Sequence, residues 1–207
     1  MKEEYIDVFD EDMNLIGCQE RNEVHKNGFW HQTFHCWIAQ KEAEKNYVIF
    51  QIRQNSKKIF PGLYDVSCGE HLLEGESPQD GIREIEEELG IKVNYNELIY
   101  IGMCKTENKG EDYIDREFTH VYLYLTDRNL DAFHIDTDEV SGLIRVPIDK
   151  ILDLFYGKIL SVKIDGFKYA YDNELVKIGG DALRSEFVPI SNEYCLNIID
   201  KFIKLVK

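Results

Sequence analysis

Apolar and polar positions alternate along much of the chain, in short runs broken by turn residues, which is the signature of successive strands. YIDVF and NLIGC flank the turn-like DEDM and predict an opening hairpin. RNEVHKNG predicts a short helix or turn stopping at Gly28. TFHCWIAQ and NYVIFQIR predict strands on either side of the charged KEAEK, and Pro61-Gly62 predicts a turn. Past Gly90, ELIYIGMCKT and EFTHVYLYL predict an antiparallel pair separated by polar ENKGED. EVSGLIRV reads as a strand, and PIDKILDLF as a helix with Pro147 at its first position. From Gly157 the pattern changes: ILSVKIDGFKYAY predicts a hairpin turning at Asp165-Gly166, and SNEYCLNIIDKFIKLVK a terminal amphipathic helix.

Strands with interspersed helices, but without regular strand–helix alternation, predict an α+β fold or a mixed sheet with helices packed on it. No repeat or linker interrupts the pattern. The expected organisation is one domain over residues 1–207: an N-terminal hairpin and turn (1–28), a core (29–156) and a C-terminal hairpin and helix (157–207). That last part is a candidate surface for a homodimer. At 43% hydrophobic and 12% aromatic, the 207 residues suffice for a sizeable core. The net charge of −15 works against binding a nucleic acid polymer or an anionic membrane. A small phosphorylated substrate stays open, because a divalent cation mediates such contacts. Five scattered cysteines, odd in number and never in a C-x-x-C pair, read as reduced thiols of a cytoplasmic protein. The N-terminal segment has no apolar run of signal-peptide type, so a soluble protein is expected.

The chemistry concentrates in CGEHLLEGESPQDGIREIEEELGI, residues 68–91. Ser77, Pro78 and Asp80 suit a helix start, and Gly90 a stop. Ile82, Ile85 and Leu89 fall on one helical stripe, and Glu84, Glu87 and Glu88 on another. Like charges so placed repel, yet converging carboxylates on a rigid element are what Mg²⁺ or Mn²⁺ requires.

REIEEELGI, Arg83 to Ile91, resembles the second half of the Nudix box and meets each of its specified positions. The first half departs from the pattern. With Gly69 as the box glycine, the glutamate position holds Gly75. With Glu76 as the box glutamate, Glu70 takes the glycine position and one residue is missing before Arg83. The GES turn favours the second register. The resemblance implies an α/β/α sandwich whose box helix carries the metal site, and a pyrophosphohydrolase acting on a small organic diphosphate. It further implies Glu84, Glu87 and Glu88 as ligands of Mg²⁺ (or Mn²⁺) or as the base, with Arg83 and Glu76 as a structural ion pair. Glu117 is expected to complete the metal site from a neighbouring strand. Glu84, Glu117 and Glu139 are the candidates for the base, and Phe60 and Tyr64 for a pocket wall.

A second likeness, carried by residues 7–38, 60–77, 115–125 and 139–154, is to the Nudix subgroup related to isopentenyl-diphosphate isomerase. It implies a second metal site at His25, His31 and His71, with Asp115 and Glu117, suited to Mn²⁺ or Zn²⁺. The isomerase cysteine position, two before the histidine, holds Gly69; Cys68 is one residue off and on a strand points the other way. The expected activity is therefore hydrolysis. An isomerase, or a catalytically silent module binding a ligand, are the alternatives.

Overall fold

The computed structural model describes residues 4–42, 45–111, 113–170, 174–191, 194 and 198–206. Strand β1 (Tyr5–Phe9) pairs antiparallel with β2 (Leu15–Glu20), so the opening hairpin forms as expected. The Asp10 carboxylate makes the turn, accepting from the N–H groups of Asp12 and Asn14 at 3.0 and 2.8 Å. Helix α1 (Arg21–Asn27) stops at Gly28, whose φ of 68° is left-handed. Next come β3 (Trp30–Glu42) and β4 (Lys45–Arg53), which pair antiparallel, then β5 (Tyr64–Asp65), β6 (Cys68–His71) and helix α2 (Arg83–Leu89). The chain continues through β7 (Leu98–Lys109), β8 (Ile114–Thr126), β9 (Val140–Pro147) and helix α3 (Ile148–Phe155). It ends with β10 (Ser161–Tyr169), β11 (Leu175–Leu183) and helix α4 (Asp200–Val206).

Strand β3 organises the mixed sheet. One edge runs parallel to β8 from Trp30–Arg116 to Gln40–Thr126. The other edge is shared in turn by β1, β6 and β4. Alternation along β3 then sorts the core into two layers. Phe34, Cys36 and Ile38 pack with Ile85 and Leu89 of α2. Trp37 and Ala39 pack on the opposite face with Ile151 and Leu154 of α3 and Phe202 and Ile203 of α4. The architecture is an α/β/α sandwich.

Three local expectations are corrected. Asp165-Gly166 is not a turn: β10 runs straight through it, paired with β11 over nine residues and with β9 over four. The glycine serves close approach instead, since a Cβ there would lie 2.1 Å from the Leu143 carbonyl oxygen. Pro147 precedes the first turn of α3 rather than opening it. Helix α2 begins at Arg83, six residues after Ser77. Ser77 does not cap; its N–H and hydroxyl donate to the Asp80 carboxylate at 2.8 and 2.7 Å. A 3-10 turn, Asp80–Ile82, then carries the chain in with Gly81 tight against Phe34, where a Cβ would lie 2.6 Å from that ring.

Gly90 ends α2 at φ 65°, and a Cβ there would meet the His134 carbonyl oxygen at 2.3 Å. Gly90→Ala is expected to lower the urea unfolding midpoint, costing about 2 kcal/mol or more. Gly75→Ala, at φ 78° with nothing within 4 Å, should cost only about 1 kcal/mol.

No helix among the described residues is long and apolar enough to cross a membrane. Cys18, Cys36, Cys68 and Cys104 are outside any disulfide, whereas Cys195 and part of the terminal segment lie outside the described residues.

Candidate active site

Helix α2 is fastened by its apolar stripe. Ile85 and Leu89 are fully buried, each stabilising the packing by about 2 kcal/mol, which outweighs like-charge repulsion of a few tenths. Their orientation draws Glu84 and Glu88 inward as well, to 6% and 5% exposure, while the Glu87 side chain stays 61% exposed. The trio is thus divided into two enclosed carboxyls and one open one. Oε2 of Glu88 is buried with no hydrogen-bond partner among the described residues. Such an atom costs about 1–3 kcal/mol inside a protein. Burial, with the charge of Glu70 adding to it, pushes the Glu84 carboxyl up to about 7 and that of Glu88 up to about 8.

Arg83 ties this helix to the loop before it. Its Nε and Nη2 donate to the two Glu76 oxygens at 2.9 and 3.2 Å, a bidentate pairing. Its Nη1 also reaches Glu84, and Glu87 at 3.0 Å. Glu76 accepts in addition from the Leu73 N–H at 2.8 Å.

Strand β6 connects this helix to the histidines. Its register with β3 sets His71 opposite Thr33, Glu70 opposite Phe34, Gly69 opposite His35 and Cys68 opposite Cys36. Cys68 and Glu70 therefore face α2, and Gly69 and His71 face the other way. Cys68 lies against Glu88; burial, with that carboxyl, holds its thiol well above the ordinary value, which makes it a poor nucleophile. At position 69 a Cβ would sit 2.9 Å from Cδ2 of His35, so His35 fills the space where an isomerase cysteine would stand. His35 contacts the Tyr194 hydroxyl at 3.1 Å, and that hydroxyl accepts from Trp37 Nε1 at 2.9 Å.

His25, His31, His71 and Asp115 come together from α1, β3, β6 and β8, one ligand atom of each within 4.8 Å of all the others. The ring orientations are set from behind. Nδ1 of His25 meets the Arg21 carbonyl at 2.7 Å, Nδ1 of His31 the Phe29 carbonyl at 3.1 Å, and Nδ1 of His71 the Glu70 carboxylate at 2.6 Å. With oxygen acceptors on all three Nδ1 atoms, each Nδ1 carries the proton and each Nε2 a lone pair. Nε2 of His25 and of His71 then face each other at 3.0 Å. Nε2 of His31 and Oδ1 of Asp115, 3.5 Å apart, are buried without hydrogen-bond partners among the described residues. Burial holds His25 below the ordinary histidine value and His31 well below it, in the neutral form that ligates. These orphaned donors fit a cation.

Glu117 lies on the same sheet face as this cluster. It is the register partner of His31, on the sheet face away from α2, and its Oε2 accepts from Thr119 and Thr106 at 3.2 and 3.4 Å. Burial, and then Asp115, hold its carboxyl well above the ordinary value. Glu139 is paired with Lys57. Tyr64 packs on Phe187 with ring centroids 5.0 Å apart, as part of the core wall, and Phe60 is half-buried at φ 52°.

A model of the NUDIX domain matches residues 30–162. The chain belongs to the Nudix hydrolase family. It is 41% identical to an uncharacterized Nudix hydrolase of Clostridium acetobutylicum over 91% of this chain and 92% of that one. An isopentenyl-diphosphate Delta-isomerase of Photorhabdus laumondii is 33% identical over 60% of this chain and 70% of its own. A crystal structure from Deinococcus radiodurans shares the fold at a TM-score of 0.55 and 18% identity, covering 74% of this chain and 90% of that chain.

Two residues of this Nudix protein escaped the sequence reading of the site. Glu70 showed itself only as a departure from the box pattern. Arg21 carried no signal, because its contact with Glu70, 3.0 Å from Nη2 to Oε1, joins elements far apart in sequence.

Proposed function

We propose that this Nudix protein is a metal-dependent hydrolase of a diphosphate bond in a small organic diphosphate, nucleoside or prenyl. The observation that carries the reading is the Glu84–Glu88 pair, two carboxyls enclosed on a helix clamped by Arg83 and Glu76, one of them with an orphaned oxygen. Glu84, Glu87 and Glu88 would hold Mg²⁺ (or Mn²⁺). When bound, the ion offsets charge on the diphosphate oxygens and acidifies water. The protein's part is to fix the carboxylates, keep Glu84 and Glu88 from solvent and accept the proton of water. Glu84 is the base we favour, since it stands enclosed on α2 among the box carboxyls, whereas Glu139 is outside that helix and Glu117 lies on the far face of the sheet. The histidine cluster is a second site of the same protein, for Mn²⁺ or Zn²⁺. A reducing cytoplasm suits its thiols, and its acidity keeps polymeric nucleic acid and anionic membranes away.

The test is phosphate or nucleotide release over a panel of nucleoside, nucleotide-sugar and prenyl diphosphates, with Mg²⁺, with Mn²⁺ and with chelator. Release that depends on the ion is expected. Tight binding of a panel member without turnover would favour a silent binding module instead. Interconversion of isopentenyl and dimethylallyl diphosphates is not expected, because Gly69 offers no thiol and Cys68 faces α2. Detecting it, with loss in Cys68→Ser, would overturn both the register and the hydrolase reading.

A further inference from the structure

Glu70 stands where the family pattern has glycine, and its carboxylate is built into the site. Its Oε1 accepts from Nδ1 of His71 at 2.6 Å and from the His71 N–H at 2.9 Å, and it lies 3.0 Å from Nη2 of Arg21. Arg21 is itself held by Glu4 at 2.7 Å, and its carbonyl takes Nδ1 of His25. The side-chain pair of Arg21 with Glu70 therefore orients His71, while the main chain of Arg21 orients His25.

We propose that Glu70 is a positioning residue of the histidine cluster: clamped by Arg21, its carboxylate holds the His71 ring so that Nε2 faces the other ligands. The proposal rests on the reading of that cluster as a transition-metal site. A carboxylate behind a ligating histidine fixes its tautomer and raises its basicity, and loss of such a partner commonly weakens metal binding about 10- to 100-fold. In a glycine-bearing relative the imidazole would have to find another acceptor.

The full chain, stripped with chelator, is titrated with Co²⁺ and read by its visible absorption, with affinity measured by chelator competition. Wild type is expected to bind one Co²⁺ with a spectrum of nitrogen–oxygen ligation, lost in His71→Ala. Glu70→Gln, which keeps an acceptor oxygen but no charge, should weaken binding about tenfold, and Glu70→Gly by about 100-fold, with shifted absorption. Arg21→Met leaves Glu70 in place but unclamped and should weaken binding several-fold; it also serves if the Glu70 variants do not fold. Co²⁺ affinity within twofold of wild type in the folded variants, or no Co²⁺ binding by wild type, overturns the proposal. Mg²⁺-dependent hydrolysis by the same wild-type preparation is scored separately, so failure here is distinguishable from failure of the hydrolase reading.

Discussion

Replacing Glu88 by Gln is expected to reduce metal-dependent diphosphate hydrolysis by orders of magnitude while leaving the metal-free protein as stable as wild type, or more so. Glutamine keeps the shape and the helix propensity but removes a ligand charge that acts on the transition state. It also removes a buried carboxyl that lacks a full set of partners. The sign with pH follows from the direction of the shift. The folded carboxyl is raised from 4.5 to about 8, so between those values the folded protein keeps a proton that the unfolded chain has released. Apo stability should therefore fall as pH rises from about 4.5 to about 8, as Glu88, and Glu84 over a narrower window, ionise against burial. Glu88→Gln should flatten that slope, and added Mg²⁺ should restore wild type but not the variant. Thermal unfolding from pH 5 to 9, with and without Mg²⁺, reads both effects. Glu86→Gln is the control, since Glu86 is 55% exposed and pairs with Lys92 on the open side of the helix. Equal activity losses in the two variants would reduce the face to ordinary acidic surface.

Protein purified without chelator is expected to carry a tightly held transition ion, and the variant with His25, His31 and His71 all changed to Ala to carry none. An ion present at a thousand times its dissociation constant stabilises the fold by about 4 kcal/mol. For a chain of this size that amounts to roughly 8–16 °C in melting temperature. Elemental analysis gives the occupancy, and melting with and without chelator gives the stabilisation. If wild type holds no ion even after incubation with Mn²⁺ or Zn²⁺, the three rings are structural.

The sequence disclosed those features whose causes are local. The hairpin around Asp10, the stops at Gly28 and Gly90 and the two stripes of α2 depend on residues a few positions apart. The Asp165-Gly166 turn failed for the opposite reason. A dipeptide that favours a turn was held flat by a neighbouring strand whose approach no local pattern records. The start of α2 was displaced because the Asp80 N–H, which a Ser77 side-chain cap would bond, donates instead to the Ser77 carbonyl at 2.9 Å in a turn ahead of the helix. At the site, the box carboxylates were legible as a motif, but the burial of Glu84 and Glu88 against an open Glu87 depends on how the helix meets the sheet. The grouping of Glu117 with His31 follows from the parallel register of β3 with β8, and periodicity gives a strand's faces without naming its partner.

That parallel register also orders the assembly of the molecule in time. Thr33 and Thr119, side by side in the finished ladder, are 86 residues apart in the chain. Closing a loop of that length costs about 4 kcal/mol of chain entropy before any ladder contact forms, whereas the β1–β2 hairpin closes over a few residues. The histidine cluster draws on α1, β3, β6 and β8, so it exists only after this slow closure. An ion that needs all four ligands would therefore find its complete site only after β3 and β8 have met.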